Sequence, residues 1–424
     1  MLYYSDLHLH SKYSRAVSQA MSLEGLVQGA VEKGLTILGT GDFSHPLWFK
    51  ELKEKLAPAE SEGLYALKGF EKTGVRFMLT NEVATLCSTP KGVKKVHHLI
   101  HSPSIEVAGQ INDLLSKKGS LSADGRPMFG RTMPVEIVEI AESVSKENFV
   151  IPAHAYTPWF GVFGSMSGFN SLEEAYQDKS KSIFAIETGI SSDPAMNWRI
   201  SALDKISLVS NSDAHSNHPW RLGRECNVFD FEKFPSFAEI REAIKTRKNF
   251  AFTVEVNPSY GKYHLDGHRL CKFSSEPGET RKLRGICPVC KKPMTIGVLN
   301  RIEELADRPE GFIPENAVPF KTILPLHELL SGVHGVQLAS KKVFFAAEKI
   351  LALGSELHVL LEAPEEKLLG VSEKQAVDAI MLNRQGKIKV KPGFDGEYGI
   401  PLIGTEGEKE KTVKDEKQKK LGEY

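Results

Sequence analysis

The opening segment LYYSDLHLHSKYS sets His8 and His10 two residues apart, with Asp6 just before them. In a strand, residues i and i+2 leave the same face, so both imidazoles emerge side by side where the first apolar run ends. The same residue types end the other short apolar runs. LTILGT leads into Asp42 and His45, VRFMLTNEV holds Glu82, and KKVHHLI holds His97 and His98 and runs into His101. NFVIPAHA ends in His154, SIFAIETG holds Glu187, and ISLVSNSDA reaches Asp213 and His215. A single strand-end Asp is ordinarily a helix cap. A full set of His, Asp and Glu on one rim predicts a polynuclear metal site. Mixed imidazole and carboxylate ligands favour zinc, manganese or iron over magnesium, and a carboxylate such as Glu82 can bridge two ions. Two or three metals a few ångströms apart suit in-line attack on phosphorus.

These residues need a scaffold that delivers strand ends to one place. Between the apolar runs lie SLEGLVQGAVEKG, SIEVAGQINDLLSKK and PVEIVEIAESV, whose apolar residues recur at i, i+3, i+4 and i+7. Ser22 and Ser104 stand at N-cap positions, and Gly34 and Gly119 where the helices should stop. The βαβα order predicts an α/β fold with a parallel sheet, and about seven strands predict a closed or nearly closed barrel with its site at the carboxyl ends of the strands.

A second constellation follows. GHRLC precedes GICPVCKKP, so His268 and Cys271 match the spacing of the knuckle Cys287 and Cys290. Four such ligands in two pairs predict one closed structural zinc, with His264 the rival for the histidine position. The intervening FSSEPGETRKLRG is too polar to form a core, so the metal must order it. Arg269, Lys272, Arg281, Lys282 and Arg284 make this segment locally basic and predict a nucleic-acid contact.

The chain of 424 residues is 41% apolar and 25% charged, with 54 basic and 54 acidic residues. This is a globular composition without bulk attraction to nucleic acid. No apolar run is long enough to cross a membrane and no signal peptide is visible, so the expected location is cytoplasmic. Five cysteines, three of them clustered, do not make a disulfide framework. From 301 to about 385 the pattern is helical, and KIKVKPGFDGEYG then reads as a basic strand and turn. From Thr405 the chain is almost wholly polar and charged and is expected to be disordered. It ends in QKKLGEY, where Gln418, Leu421 and Tyr424 have the spacing of sliding-clamp peptides.

DLHLHSKYS, the TGD of GTGDF, NEV, VHHLI, PAHA and NSDAH resemble the motifs of the polymerase-and-histidinol-phosphatase (PHP) metallohydrolases. The resemblance implies a distorted seven-stranded (β/α) PHP barrel holding two or three divalent metals, zinc or manganese/magnesium. Its ligands would be His8, His10, Asp42, Glu82, His98, His154, Asp213 and His215. Adjacent strand residues face opposite ways, so only one of His97 and His98 can point inward; His98 is assigned, with His97 the alternative. Two positions depart from the family pattern, and both concern the third metal: Thr40-Gly41-Asp42 stands where Thr-Asp-His is usual, and Ser14 where some members have histidine.

The order of barrel, YHLDGHRLC…CPVC and PGFDGEYG is similar to the endonuclease Q family. This resemblance divides the chain into a barrel (1–255), a small zinc-binding module (256–300), a mainly helical C-terminal nucleic-acid-binding domain (301–403) and a charged tail (404–424). It implies a DNA-repair endonuclease, a metal-dependent phosphodiesterase that nicks DNA 5′ of deaminated bases (uracil, hypoxanthine, xanthine) and abasic sites. Glu82 and Asp213 would serve catalysis through the metals, and Asp193 as an acid or base. Trp159, Phe160, Trp198 and Trp220, with Arg199 and Arg221, are candidates to wedge or stack against a base. The expected partners are DNA containing deaminated bases and the sliding clamp, with no membrane. The rival readings are a small-molecule phosphomonoesterase, which a barrel alone would serve, and a non-catalytic nucleic-acid-binding protein.

Overall fold

The computed structural model describes residues 1–403 and the backbone pairing of residues 411–412. Seven strands lie where the apolar runs predict them: β1 (Leu2–Asp6), β2 (Ile37–Gly39), β3 (Arg76–Thr89), β4 (Gly92–Ser102), β5 (Phe149–Pro152), β6 (Ala185–Glu187) and β7 (Ser207–Val209). Three predicted helices also form: α1 (Leu23–Lys33), α2 (Ile105–Leu115) and α3 (Pro134–Val144). Ser22 and Ser104 cap α1 and α2 by accepting hydrogen bonds from Gly25 and Val107 N–H. Gly34 closes α1 in the left-handed region at φ 94°. Gly119 does not close α2, which ends earlier at Ser116.

The architecture is mixed α/β around a central sheet of eleven strands. β1, β2 and β3 run parallel, and β6 runs parallel to β7. The all-parallel expectation fails at β3 and β4, which pair antiparallel with Thr89 opposite Gly92. Only Pro90 and Lys91 join them, and a parallel pair needs a long crossover. β4 and β5 are also antiparallel. Beyond β5 the connection runs through single bonds: Ala155 N–H donates to Glu187 O at 2.9 Å, and His10 N–H to Ala214 O at 3.2 Å. The second of these brings the segment after β7 back beside the segment after β1.

Each of the seven strands lends a side chain to one apolar cluster: Tyr3, Ile37, Met78, Leu99, Ile151, Ala185 and Val209. The opposite faces, with Leu38, Phe77, Val96, Ile100 and Val150, pack against Leu26, Ile111, Ile137 and their neighbours on α1, α2 and α3. The sheet is therefore buried on both sides. On its far edge β8 (Cys226–Asp230) pairs with β1, and β9 (Phe250–Glu255) with β8, both antiparallel.

The remaining chain is tied to this body. β10 (Asp266–His268) and β11 (Phe273–Ser275) form a small antiparallel pair. β12 (Phe320–Thr322) adds a parallel strand to β9. Helices α4 (Val298–Leu305), α5 (Leu326–His334), α6 (Lys341–Leu351), α7 (Glu356–Leu361), α8 (Glu365–Val371) and α9 (Lys374–Arg384) make the C-terminal part mainly helical. Lys33 on α1 meets Glu356 on α7 at 2.6 Å, with both side chains 1% exposed. No described helix is long and apolar enough to cross a membrane. Gln418, Leu421 and Tyr424 lie outside the described residues.

Candidate metal centre

Glu82 on β3 is the hub. Its Oε1 lies 2.7 Å from His97 Nδ1, 3.2 Å from His154 Nε2 and 3.7 Å from His8 Nε2. Its Oε2 lies 3.2 Å from His10 Nε2 and 3.1 Å from Arg126 Nη1. Asp213 Oδ1 lies 3.1 Å from His10 Nε2, 3.5 Å from His8 Nε2 and 3.6 Å from His215 Nδ1. Three overlapping groups result: His8, His10 and Glu82; His10, Asp213 and His215; Glu82, His97 and His154. Within each, the ligand atoms lie within 4.8 Å of one another.

The rings are fixed from behind. Glu187 Oε2 sits 3.0 Å from His8 Nδ1 and also accepts from His154 N–H at 2.7 Å. Asp42 Oδ1 sits 3.0 Å from His10 Nδ1. Thr157 Oγ1 lies 2.9 Å from His154 Nδ1. A partner on Nδ1 sets the ring orientation and leaves Nε2 to face inward, the usual support for a metal-binding histidine. Asp42 itself departs from the ligand expectation. Its Oδ1 is spent on His10, and its Oδ2 accepts from Ser11 N–H, Ser11 Oγ and Ser14 Oγ at 2.6, 2.7 and 2.9 Å. It sits behind the His10 ring and joins none of the converging groups among the described residues.

His98 is the second departure. Its Nε2 lies 2.9 Å from Thr85 Oγ1 and its Nδ1 2.9 Å from Tyr176 OH, on the helix-covered face shared with Val96 and Ile100. His97 shares the face of Leu99 and points into the centre. The Asp193 carboxylate accepts from Met196 N–H at 2.8 Å, capping the short helix Pro194–Asn197, and burial raises its pKa. It stands outside the three groups.

Arg126 carries no strand-end signal and is legible only here. A Cβ on Gly125 would fall 2.4 Å from Asp42 Oδ2 and 2.1 Å from Ser14 Oγ, so only glycine lets this loop press against the site and deliver Arg126 to Glu82. The Arg126 side chain remains 30% exposed, on the same open side as Asp213 and His215. Asp42, His154 and Asp213 adopt φ of 49°, 31° and 48°, a conformation that non-glycine residues hold only where the surroundings impose it.

The charge balance fits divalent cations. Burial opposes a charge on Glu82, yet His97, Arg126 and His8 outweigh it and hold the carboxyl well below its ordinary pKa. Burial likewise opposes a charge on Asp213, and His8 and His215 outweigh it. His8 Nε2, His10 Nε2 and Asp213 Oδ1 are buried without a hydrogen-bond partner. Orphaned imidazole nitrogens beside carboxylate oxygens are the donor set that a divalent transition metal completes.

The second constellation also converges. His268, Cys271, Cys287 and Cys290 bring their ligand atoms within 4.8 Å of one another, and His268 Nδ1 lies 3.1 Å from Cys271 Sγ. One imidazole and three thiols fit a closed zinc site. His264 is buried elsewhere and joins no such group among the described residues.

Of the candidate stacking residues, Phe160 lies over His97 with ring centroids 4.3 Å apart, and Trp159 meets Tyr263 edge-on at 5.8 Å. Trp198 and Trp220 pack instead on Phe320 and Phe344 of the C-terminal part.

Among known structures, the chain is similar to the lesion-specific endonuclease from Pyrococcus furiosus, with a TM-score of 0.84 and 34% identity over 96% of each chain. It is equally similar to an Endonuclease Q in complex with a 27-mer duplex substrate with an abasic lesion at the active site (TM-score 0.85, 34% identity, 96% of this chain and 98% of that one). The uncharacterized protein YqxK of Bacillus subtilis is 28% identical over 418 residues, 93% of this chain and 98% of that protein. An uncharacterized protein of Methanocaldococcus jannaschii is 35% identical over 253 residues, 58% of this chain, and there the match spans only 31% of the relative. No family model matches the sequence.

Proposed function

The chain belongs to the endonuclease Q family, and we propose that it is a metal-dependent phosphodiesterase that nicks DNA on the 5′ side of deaminated bases (uracil, hypoxanthine, xanthine) and of abasic sites. The observation that carries this reading is the likeness over nearly the whole chain to a lesion endonuclease, one example of which holds duplex DNA. The scaffold is read as a distorted seven-stranded barrel (1–255), supported by the shared interior cluster and by the return of hydrogen bonds to the segment after β1. The zinc module (256–300) and helical part (301–403) extend the surface that DNA would cover.

His8, His10, Glu82, His97, His154, Asp213 and His215 are the residues that would hold the metals. Bound there, divalent ions supply Lewis-acid polarisation of the phosphate and a nucleophile from water at neutral pH. Glu82 belongs to two of the three groups and can bridge them. Glu187, Asp42 and Thr157 keep three imidazole rings in their working orientation. Arg126 is the group of fixed charge on the open side, suited to hold a phosphate oxygen against the centre. Asp193, in the loop after β6, is the candidate acid or base.

A labelled duplex with one deoxyuridine, deoxyinosine or abasic site, incubated with manganese, magnesium or zinc, tests the proposal. The expected product is a nick just 5′ of the lesion, with the base retained. A free base would identify a glycosylase, and hydrolysis of a small phosphomonoester without DNA cleavage would return the phosphatase reading. The tail carries a further part of the proposal: Gln418, Leu421 and Tyr424 would tether the enzyme to a sliding clamp. Removing residues 417–424 should abolish stimulation by the clamp and spare basal incision; unchanged stimulation would make the motif a chance match.

A further inference from the structure

Two of the most exposed apolar side chains of the described residues stand on the zinc module: Leu270, 84% exposed, and Val289, 65% exposed. Leu270 lies between His268 and Cys271, and Val289 between Cys287 and Cys290. The convergence of those four residues sets the two turns side by side. Each turn closes on a lysine in the left-handed region directly after its last ligand, Lys272 at φ 50° and Lys291 at φ 62°. The turns therefore repeat one another, and each carries an exposed apolar residue directly before its last ligand. Scattered exposed leucines need no explanation, but two on matching turns of one small platform do.

The surroundings of these two residues say what would cover them. Between residues 264 and 292 there are seven Lys and Arg against three Asp and Glu, in a chain whose total charge is zero. Arg269, Lys272, Arg284, Lys291 and Lys292 are all exposed. Cations immediately around an apolar point suit a polyanion with an apolar interior between its stacked bases, and duplex DNA is the polyanion already read as the substrate. The platform also adjoins the rim of the metal centre. Ser165, in the loop after His154, donates to Ile296 O at 2.7 Å, and Trp159 in that loop meets Tyr263. A Cβ on Gly261 would fall 2.6 Å from Cα of Ser191, in the loop after Glu187. The loops that leave the strand ends carrying the site thus support the module.

We propose that Leu270 and Val289 form an apolar wedge that enters the minor groove of duplex DNA and opens a base step, while the surrounding Lys and Arg grip the phosphates. The inference rests on the reading of duplex DNA as substrate. Opening a step lowers duplex stiffness where the strand must be drawn to the metal centre, and the phosphate contacts offset the unstacking. The wedge carries no base-specific hydrogen bonds, so it acts at any sequence.

The test uses the full chain and a duplex carrying one abasic site, with 2-aminopurine reporting on stacking. L270S/V289S should bind this duplex about tenfold more weakly, with a smaller rise in 2-aminopurine fluorescence. The slope of log affinity against log salt should stay that of the wild type, because no phosphate contact is lost. Affinity for single-stranded DNA should also be unchanged, which doubles as a check that the module is intact. K272Q/K291Q/K292Q should do the reverse and flatten the salt slope. A double variant that binds and unstacks the duplex as the wild type does would overturn the wedge and assign the two residues to a protein partner. A wild-type protein that ignores duplex DNA altogether would instead overturn the substrate reading beneath it.

Discussion

His97 reaches Glu82 at 2.7 Å, while His98, one residue on, bonds Thr85 and Tyr176. Their replacement should therefore separate chemistry from stability. His97→Ala should lower metal occupancy and incision by about 100-fold or more, since even an orienting partner of a ligand is worth 10–100-fold. His98→Ala should leave turnover at saturating metal near that of the wild type but destabilise the fold by about 2–3 kcal/mol, because Tyr176 and Thr85 lose a buried partner. Metal titration and thermal unfolding of the two variants check this, and the opposite pattern would return His98 to the centre. Asp193→Asn adds a third comparison. Asn keeps the helix cap, so stability should hold; a fall in turnover would then report a proton carried by the carboxyl, and none would leave Asp193 a cap only.

At the scale of elements, the seven strands, three helices and both clusters of candidate metal ligands are legible in the sequence, because periodicity and strand-end chemistry are local signals. What is not legible is which way β4 faces. Alternation normally answers that, but this sheet is buried on both sides, so Val96, Ile100 and Leu99 are apolar alike and the parity of the two histidines is hidden. The two-residue turn at Pro90 and Lys91 sets the register, and with it His97 inward. Asp42 and Glu187 are likewise strand-end carboxylates whether they bind metal or steady a histidine; only the pairing with His10 and His8 distinguishes the roles. Arg126 sits in the polar stretch LSADGRP, where no periodic signal exists.

β9 carries its own testable feature. Burial, then Asp193, raises the pKa of Glu255 from 4.5 to about 8, and its neighbour Glu225 is raised by burial and by Glu255. A folded-state pKa above the unfolded value stabilises fully below about pH 4.5 and is lost as pH rises through about 8. Glu255→Gln should remove that loss, flattening the decline in urea midpoint across this window by an amount on the order of a few kcal/mol in stability. Parallel pH profiles for wild type and variant would show that the carboxyl is ionised in the folded state.

Across the whole molecule, the first and last parts of the chain hold one another. Lys33 and Glu356 are paired in full burial, and Glu356 also accepts from Leu326 N–H at 3.3 Å. Lys33→Ala leaves a buried carboxylate without its cation and should cost about 3–5 kcal/mol, whereas the double replacement K33M/E356M should recover most of that. Calorimetric midpoints of the three proteins decide it; a harmless single variant would mean that water already screens the pair. The pairing of β12 with β9, Thr253 against Phe320 through Glu255 against Thr322, carries a consequence of another kind. A fragment that stopped at Glu255 would offer the bare side of β9 to any passing strand, and two such fragments would zip together more readily than either would stay single. Cutting the chain at that point is therefore a route to aggregates, not to a free barrel. One part of the chain supplies the selvage on which the other's weave depends.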